Sequence, residues 1–318
     1  MVTPVPAPCA LLIAPPAHVA LEFAPLELVP LAIPAALYAR RARTLAARER
    51  PVPRWRALCF GAGLVLIGAA LVGLGPLSDE FLFAHMIEHL VIGDLAAILL
   101  VLGLTGPVLQ PLLGIRPIDR LRVLALPAVA LPLWALNLYV WHVPALYQGT
   151  LDNPPLHALE HALFVLCGCL MWMPVLGPLP VSERWNDAWR LAYTVAVRTV
   201  GEALGLFLLV TGTVLYPAYG ASERLNGIAP LTDQALAGVI MIGEGLLVTL
   251  VVISWLFLRA SREADELQGL LDIAEAQGLD VDRARLERAV RSGQGPHLAE
   301  RLRDEARGAE DPGPGGEG

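Results

Sequence analysis

The sequence predicts an all-α polytopic membrane protein. The chain has 318 residues, of which 55% are apolar and only 17% are charged, whereas ordinary soluble domains carry about 25% charged residues. Its mean hydropathy is +0.57, and a dense cluster of charged residues follows residue 258, after a series of long apolar stretches. This composition excludes a soluble globular enzyme, a disordered chain and a nucleic-acid-binding protein.

Seven stretches are long enough to cross a membrane, which takes about 20 mainly apolar residues. They are residues 19–39, 58–77, 81–105, 123–142, 156–176, 197–217 and 234–258. The first stretch is interrupted by glutamates and prolines, but membrane helices tolerate proline where neighbouring groups satisfy the freed carbonyls. We therefore predict a seven-helix transmembrane domain over residues 19–258.

The distribution of arginine predicts the orientation of this helix bundle. Arginines cluster between residues 40 and 56 and recur in the loops 106–122 and 177–196, whereas the loops 78–80 and 143–155 have none. Basic loops stay on the cytoplasmic side of a membrane. We expect a multi-pass protein of the cell (plasma) membrane with its N-terminus outside, its C-terminus inside and an extracytoplasmic segment over residues 1–18.

The charged region after the last apolar stretch predicts a cytoplasmic helical tail over residues 259–308. Gly278 and Asp280 predict a turn between two helices in this tail. The composition of residues 309–318, rich in glycine, proline and acidic residues, predicts a disordered C-terminus. A solvated helical hairpin is the favoured interpretation of the tail, and a docking site for a partner is the alternative.

Two copies of the motif H-x-x-E-H stand at the start of predicted spans. Residues 85–89 open the third span and residues 157–161 open the fifth, while His142 ends the fourth. Positions i, i+3 and i+4 share one face of a helix, so each motif presents two imidazoles and a carboxylate together. The predicted topology puts all three places on the extracytoplasmic side. The candidate metal ligands are His85, Glu88, His89, His142, His157, Glu160 and His161.

This concentration of imidazoles predicts a metal site. Ionisable side chains are costly within a membrane and are therefore candidates for function. Imidazole is a suitable ligand for zinc, copper, iron and nickel. The alternative is that these side chains only pair with one another and hold the helices together.

Four further residues are secondary candidates: Asp233, Met241, Glu244 and Cys167. Asp233 and Glu244 are three helical turns apart and share a face. Met241 offers a soft sulfur ligand, although methionine more often serves in packing, and Cys167 could act as a thiolate relay, although buried cysteine usually behaves as a small apolar side chain.

Two other features have structural interpretations. On a regular helix Asp94 points away from the face of His85 and His89, so it is expected to bind another helix. Tyr216 and Tyr219 flank a proline at the end of the sixth predicted span, which is typical of an anchor at the membrane interface.

Five motifs occur in order along the chain. They are His85-Met86-x-x-His89-Leu90, Trp141-His142-x-Pro144-Ala145-Leu146-Tyr147, His157-x-x-Glu160-His161, Leu215-Tyr216-Pro217-Ala218-Tyr219 and Asp233-Gln234-x-x-Ala237-Gly238. Over roughly residues 20–258 this series resembles the CtaG family, membrane proteins implicated in assembling caa-type cytochrome c oxidase. The resemblance implies a non-enzymatic assembly factor that binds copper and hands it to cytochrome c oxidase subunits, with membrane lipid as its surroundings.

The chain departs from the family pattern at two places. Glu88 stands where the family commonly has glutamine, and the segment from Ile240 to Gly245 lacks the tryptophan and proline of the corresponding family run. An additional carboxylate in the site would alter its metal preference.

The same residues suggest three alternative functions. H-x-x-E-H is also the pattern of a class of zinc peptidases, but such an active site needs one copy and a third ligand. Histidines on facing helices could instead hold haem. A metal or proton transporter is disfavoured because the inner halves of the predicted spans carry few charges, chiefly Arg198 and Glu202.

Overall fold

The structure is a computed structural model that describes residues 25–115, 120–179, 185–291 and 293–310. Within these ranges the chain is helical and has no β-strand, so the all-α prediction is confirmed. The predicted segment 1–18, residues 19–24 of the first predicted span and residues 311–318 lie outside the described ranges. The chain forms two compact units, one of residues up to Trp185 with Ala192–Leu246, the other of Asn186–Leu191 with residues from Leu247.

Helices follow one another with short connections. In chain order they are α1 (Pro25–Ala46), α2 (Arg54–Gly73), α3 (Gly75–Ser78), α4 (Leu82–Leu90), α5 (Ala96–Gly103), α6 (Gly106–Leu113), α7 (Pro127–Trp141), α8 (Pro144–Leu151), α9 (Pro154–Leu176), α10 (Asp187–Val210), α11 (Gly220–Leu225), α12 (Pro230–Ala276), α13 (Arg283–Arg291) and α14 (Gly295–Glu310). A π-helical turn, Val91–Leu95, joins α4 to α5, and short 3-10 helices occupy Leu121–Ala125 and Pro217–Tyr219.

Five helices are long and apolar enough to cross a membrane, and the bent pair α7–α8 makes a sixth if it counts as one span. The five are α2, the segment Leu82–Gly103, α9, α10 and α12. The predicted count of seven is therefore not reached among the described residues, and the orientation stays a prediction. The first predicted span is described only in part, because residues 19–24 lie outside the described ranges; its described part belongs to α1, which continues past residue 39 to Ala46.

Three predicted boundaries differ from the structure. After Trp141 the chain bends by 71° into α8, so the predicted loop 143–155 contains a helix, which Pro144 begins; proline is favoured at the first position of a helix because its missing N–H is not needed there. The sixth span was expected over 197–217, but α10 covers 187–210. The seventh span continues to Ala276, because the charged residues after 258 include many strong helix formers.

Close packing of α9 on the segment Leu82–Gly103 brings the two histidine motifs side by side. Gly93, in the π-helical turn, faces Gly168 of α9. A Cβ atom at Gly168 would overlap the carbonyl oxygen of Gly93 and would lie 3.1 Å from the Cβ of Ala97. Small residues let helix backbones approach this closely. Helices α10 and α12 cross in the same way at Gly205 and Gly238.

Arginines of the α1–α2 region lie at the opposite end of this segment from the histidines. Arg56 donates from Nη1 to the carbonyl oxygens of Leu102 and Leu104 at 3.0 and 2.9 Å. Arg41 donates to the carbonyl oxygen of Pro107 from Nε at 2.9 Å and from Nη2 at 2.7 Å. His85, by contrast, lies in the first turn of α4. The basic residues and the histidines thus occupy opposite ends of one apolar span.

The second unit contains the tail helices. The end of α12 packs with α13 and α14 around a small apolar cluster of Leu270, Leu286, Val290, Leu298 and Leu302. Gly278, just after α12, has a φ of 62°, a left-handed conformation that glycine adopts without steric cost. The turn expected at Gly278 is therefore present, and the tail buries its leucines within itself.

Candidate metal centre

Four histidine rings from the two motifs form a compact quadrilateral. Within each motif the ring centroids are 4.3 Å apart for His85 and His89, and 4.2 Å apart for His157 and His161. Between the helices, His85 lies 5.3 Å from His157, and His89 lies 5.3 Å from His161. The i, i+4 spacing sets the first pair of distances, and the crossing of Gly93 with Gly168 sets the second.

The nitrogens of this four-histidine cluster are grouped closely enough to be ligands of one ion. One nitrogen from each of the four rings can be chosen so that all lie within 4.8 Å of one another. His89 Nδ1, His157 Nε2 and His161 Nε2 are buried and have no hydrogen-bond partner among the described residues. Buried polar atoms are nearly always paired, so these three unpaired imidazole nitrogens make the cluster a candidate site for a cation.

The two carboxylates of the motifs have different surroundings. Glu88 accepts a hydrogen bond of 2.5 Å from the Ser78 hydroxyl, and both residues are buried. Glu160 is fully buried, and its Oε1 lies 3.8 Å from His89 Nε2. Of the two carboxylates, Glu160 is therefore the one with a measured approach to the four-histidine cluster.

Two tyrosines support the cluster, and a third bonds to His142. The hydroxyls of Tyr147 and Tyr219 are 2.8 Å apart, and the Tyr219 hydroxyl lies 3.2 Å from His85 Nδ1. Burial raises the pKa of Tyr219 above the ordinary tyrosine value, so this phenol keeps its proton. The contact leaves Nε2 of His85 to face His89 Nε2 at 3.0 Å. Tyr216 donates to the carbonyl oxygen of His142 at 2.8 Å.

The tyrosine interpretation from the sequence is wrong. Tyr216 and Tyr219 were expected to be anchors at the membrane interface, but both are buried and bonded to the histidine-bearing elements. Tyr147, Tyr219 and Ser78 support the site and are not among the ligands that the sequence predicts. Both tyrosines stand in motifs that resemble the family pattern, whereas no sequence pattern marks Ser78.

Asp233 has a structural role in this arrangement. Its two carboxylate oxygens accept from the backbone N–H groups of Leu82 and Phe83, each at 2.9 Å, and the side chain is fully buried. These are orphan donors at the start of α4. The neighbouring Gln234 ties α12 to the preceding loop, since its Oε1 accepts from Leu215 N at 2.9 Å. Asp233 thereby fixes the helix end that carries His85.

His142 stands apart from the four-histidine cluster. Its Nδ1 lies 2.8 Å from the carbonyl oxygen of Leu138, and its Nε2 lies 3.3 Å from the sulfur of Met86. Met241, on α12, lines the same cavity as Met86 and His142. Cys167 is buried six residues beyond His161, roughly 9 Å further along the helix.

Glu244 belongs to a buried ionic group rather than to the cluster. Arg198 is paired with Asp94 at 2.5 Å and lies 3.4 Å from Glu244, and Trp172 donates to Asp94. The expectation that Asp94 binds another helix is confirmed. Removal of one partner from such a buried pair is strongly destabilising, so this group ties α10 to the π-helical turn and to α12.

Comparison with known proteins gives a family. The family model described as cytochrome c oxidase caa3 assembly factor (Caa3_CtaG) matches residues 36–263. No curated protein and no solved structure matches the chain.

Proposed function

We propose a metal-handling role for this chain, which belongs to the family of cytochrome c oxidase caa3 assembly factors. Its four-histidine cluster binds copper, and the protein passes the ion to cytochrome c oxidase subunits during assembly. In this role the chain acts as a binding and transfer protein and not as an enzyme. Glu160 supplies a negative charge beside the bound ion, and Glu88, bonded to Ser78, helps to hold α4.

The observation that carries this proposal is the set of buried, unpaired imidazole nitrogens. With metal–nitrogen bonds of about 2.0–2.1 Å, a tetrahedral site needs nitrogens about 3.3 Å apart. The four nitrogens, all within 4.8 Å of one another, are already near this spacing. Only small ring movements are needed to bind an ion, so the cluster is suited to loading and release.

Access also fits a transfer site. His157 is only partly buried, whereas His85, His89 and His161 are buried. An ion can therefore meet His157 first and then exchange ligands inward. A purely structural metal site would instead be closed by four buried ligands.

The cluster faces the extracytoplasmic side in this proposal. The histidines lie at one end of the apolar spans and the arginines of the α1–α2 region at the other. Basic segments stay in the cytoplasm, so the histidine end lies outside, in the plasma membrane. Copper is then received and delivered on that outer side.

The direct test is metal titration of the purified full chain in detergent. The variant His85→Ala/His89→Ala removes two of the four ligands, and His297→Ala, at an exposed position of the tail, is the matched control. We expect wild type and the control to bind about one copper per chain in this cluster, and the double variant to bind at least about 100-fold more weakly, since ligands contribute more than the 10–100-fold typical of outer-shell groups.

A cellular readout tests the transfer step. In cells lacking the chain, wild type and His297→Ala should restore oxidase activity, and His85→Ala/His89→Ala, at equal membrane levels, should not. Unchanged copper affinity in the double variant would refute the site. A haem absorption band in the purified protein would favour the haem alternative, and binding of zinc without copper would favour the zinc alternative.

A further inference from the structure

A second group of soft ligands lies beside the four-histidine cluster, at the contact between Met86 and His142. Met86 precedes His89 on α4, and His142 ends α7; both are buried. The His142 Nε2 atom and the Met86 sulfur are 3.3 Å apart. Neither the nitrogen nor the sulfur of this contact carries a proton that could form a hydrogen bond between them.

The proton on His142 is fixed by its other contact. The carbonyl oxygen of Leu138, 2.8 Å from Nδ1, can only accept a hydrogen bond, so the ring proton of neutral His142 lies on Nδ1. Nε2 then presents a lone pair, and a thioether sulfur offers only lone pairs as well. Two lone pairs that face each other at 3.3 Å repel unless a cation binds both.

The donor types select the cation. Thioether sulfur is a soft ligand that favours Cu(I), and imidazole also accepts copper. With bonds of about 2.3 Å to sulfur and about 2.0 Å to nitrogen, a separation of 3.3 Å gives an angle at the metal of roughly 100°. That angle belongs to a site with three or four ligands, so a further donor is required.

Met241 is the candidate for that donor. It lines a cavity of about 60 Å³ together with Met86 and His142. His89, a member of the four-histidine cluster, lines the cavity as well. His89 therefore borders both the four-histidine cluster and the cavity.

The charges around the cavity favour a cation. Its wall includes three carboxyl groups, those of Asp94, Glu202 and Glu244, and the single guanidinium of Arg198. Oε1 of Glu244 is buried and has no hydrogen-bond partner in the described ranges. The acidic groups exceed the basic one, so a monovalent cation in the cavity gains from the local charge.

We propose that Met86, His142 and Met241 form a second metal site, selective for Cu(I), which receives the ion from the four-histidine cluster through His89. The ion stays Cu(I) throughout, so that no electron is transferred. This inference rests on the proposed function, which supplies the copper. It differs from that proposal in requiring a sulfur ligand, which the four-histidine cluster does not contain.

X-ray absorption at the copper edge tests the inference on the full chain loaded with Cu(I) in detergent. Wild type should show sulfur as well as nitrogen neighbours. Met86→Leu/Met241→Leu, a substitution of similar volume that cores tolerate, should lose the sulfur signal and bind Cu(I) at least about tenfold more weakly at this site. Met171→Leu, a buried methionine of α9 outside the cavity, is the matched control and should keep both.

Zinc binding separates the two proposals. Zn(II) titration should be unchanged in Met86→Leu/Met241→Leu, because the four imidazoles remain. Nitrogen-only copper in wild type, with zinc and copper still lost in His85→Ala/His89→Ala, would overturn the second site and leave the proposed function standing. Failure of the wild type to bind either metal would overturn both.

Discussion

Replacement of Gly168 by alanine should widen the candidate metal centre, although residue 168 is not part of it. Gly168 lies on α9, beyond His161, and packs on Gly93 so closely that a Cβ atom would overlap the Gly93 carbonyl oxygen. Carbon atoms in ordinary contact are about 3.5–4.0 Å apart. In Gly168→Ala the two backbones must therefore separate by roughly 1 Å or more at this crossing to restore ordinary contact.

The effect on the cluster follows from its geometry. Spacing within each motif is set by one helix and should not change, whereas the two 5.3 Å distances between helices should widen. Overpacking of this kind costs about 1–3 kcal/mol of stability. Because two ligands come from each helix, copper affinity should fall by roughly 10–100-fold, the range seen when support of metal ligands is lost.

Metal titration and thermal unfolding of the purified protein measure these two effects. The matched control is Gly243→Ala on α12, where a Cβ atom meets no heavy atom within 4 Å; it should be neutral or stabilise by about 0.4–1 kcal/mol. If Gly168→Ala is folded and binds copper as tightly as Gly243→Ala, the crossing does not set the site and the reasoning is refuted.

Two further results are expected. Asp233→Ala leaves two buried N–H groups at the start of α4 without a partner, so it should lower the free energy of unfolding by about 2 kcal/mol or more and weaken copper binding. The control, Thr105→Ala, removes a helix cap at α6, away from the site. It should lower the unfolding temperature without changing copper affinity. In a background without the native cysteines, a cysteine at the exposed Asp152 should react with an impermeant reagent from outside, and one at the exposed Ala47 only after permeabilisation; the reverse pattern would place the cluster in the cytoplasm.

The sequence predicted the helical class and the neighbourhood of the histidines because both depend on local spacing. Apolar stretches of sufficient length predict spans, and the i, i+4 spacing predicts paired imidazoles. The structure brings together four of the five candidate histidines, His85, His89, His157 and His161, and leaves His142 beside Met86.

Features that depend on irregular backbone were not predictable. At about 100° per residue, Asp94 lies roughly 140° around a regular helix from His89. The π-helical turn at Val91–Leu95 changes the rotation per residue and so reduces this angle. Asp94 and His89 therefore line the same cavity. The bend of 71° after Trp141 likewise turns a predicted loop into α8, which carries Tyr147 to the cluster.

The bonds from Asp233 and Tyr219 to the start of α4 also have a consequence for biosynthesis: the candidate metal centre is complete only after both residues have been synthesised. All four imidazoles have been made once the ribosome has passed His161, yet Tyr219 and Asp233, which position His85, emerge much later. Chains are made from the N-terminus, so a nascent chain contains the four histidines before it contains Tyr219 and Asp233. On the proposed function, an incomplete chain should hold copper weakly, and tight binding of the ion should require that the last membrane helix has been synthesised.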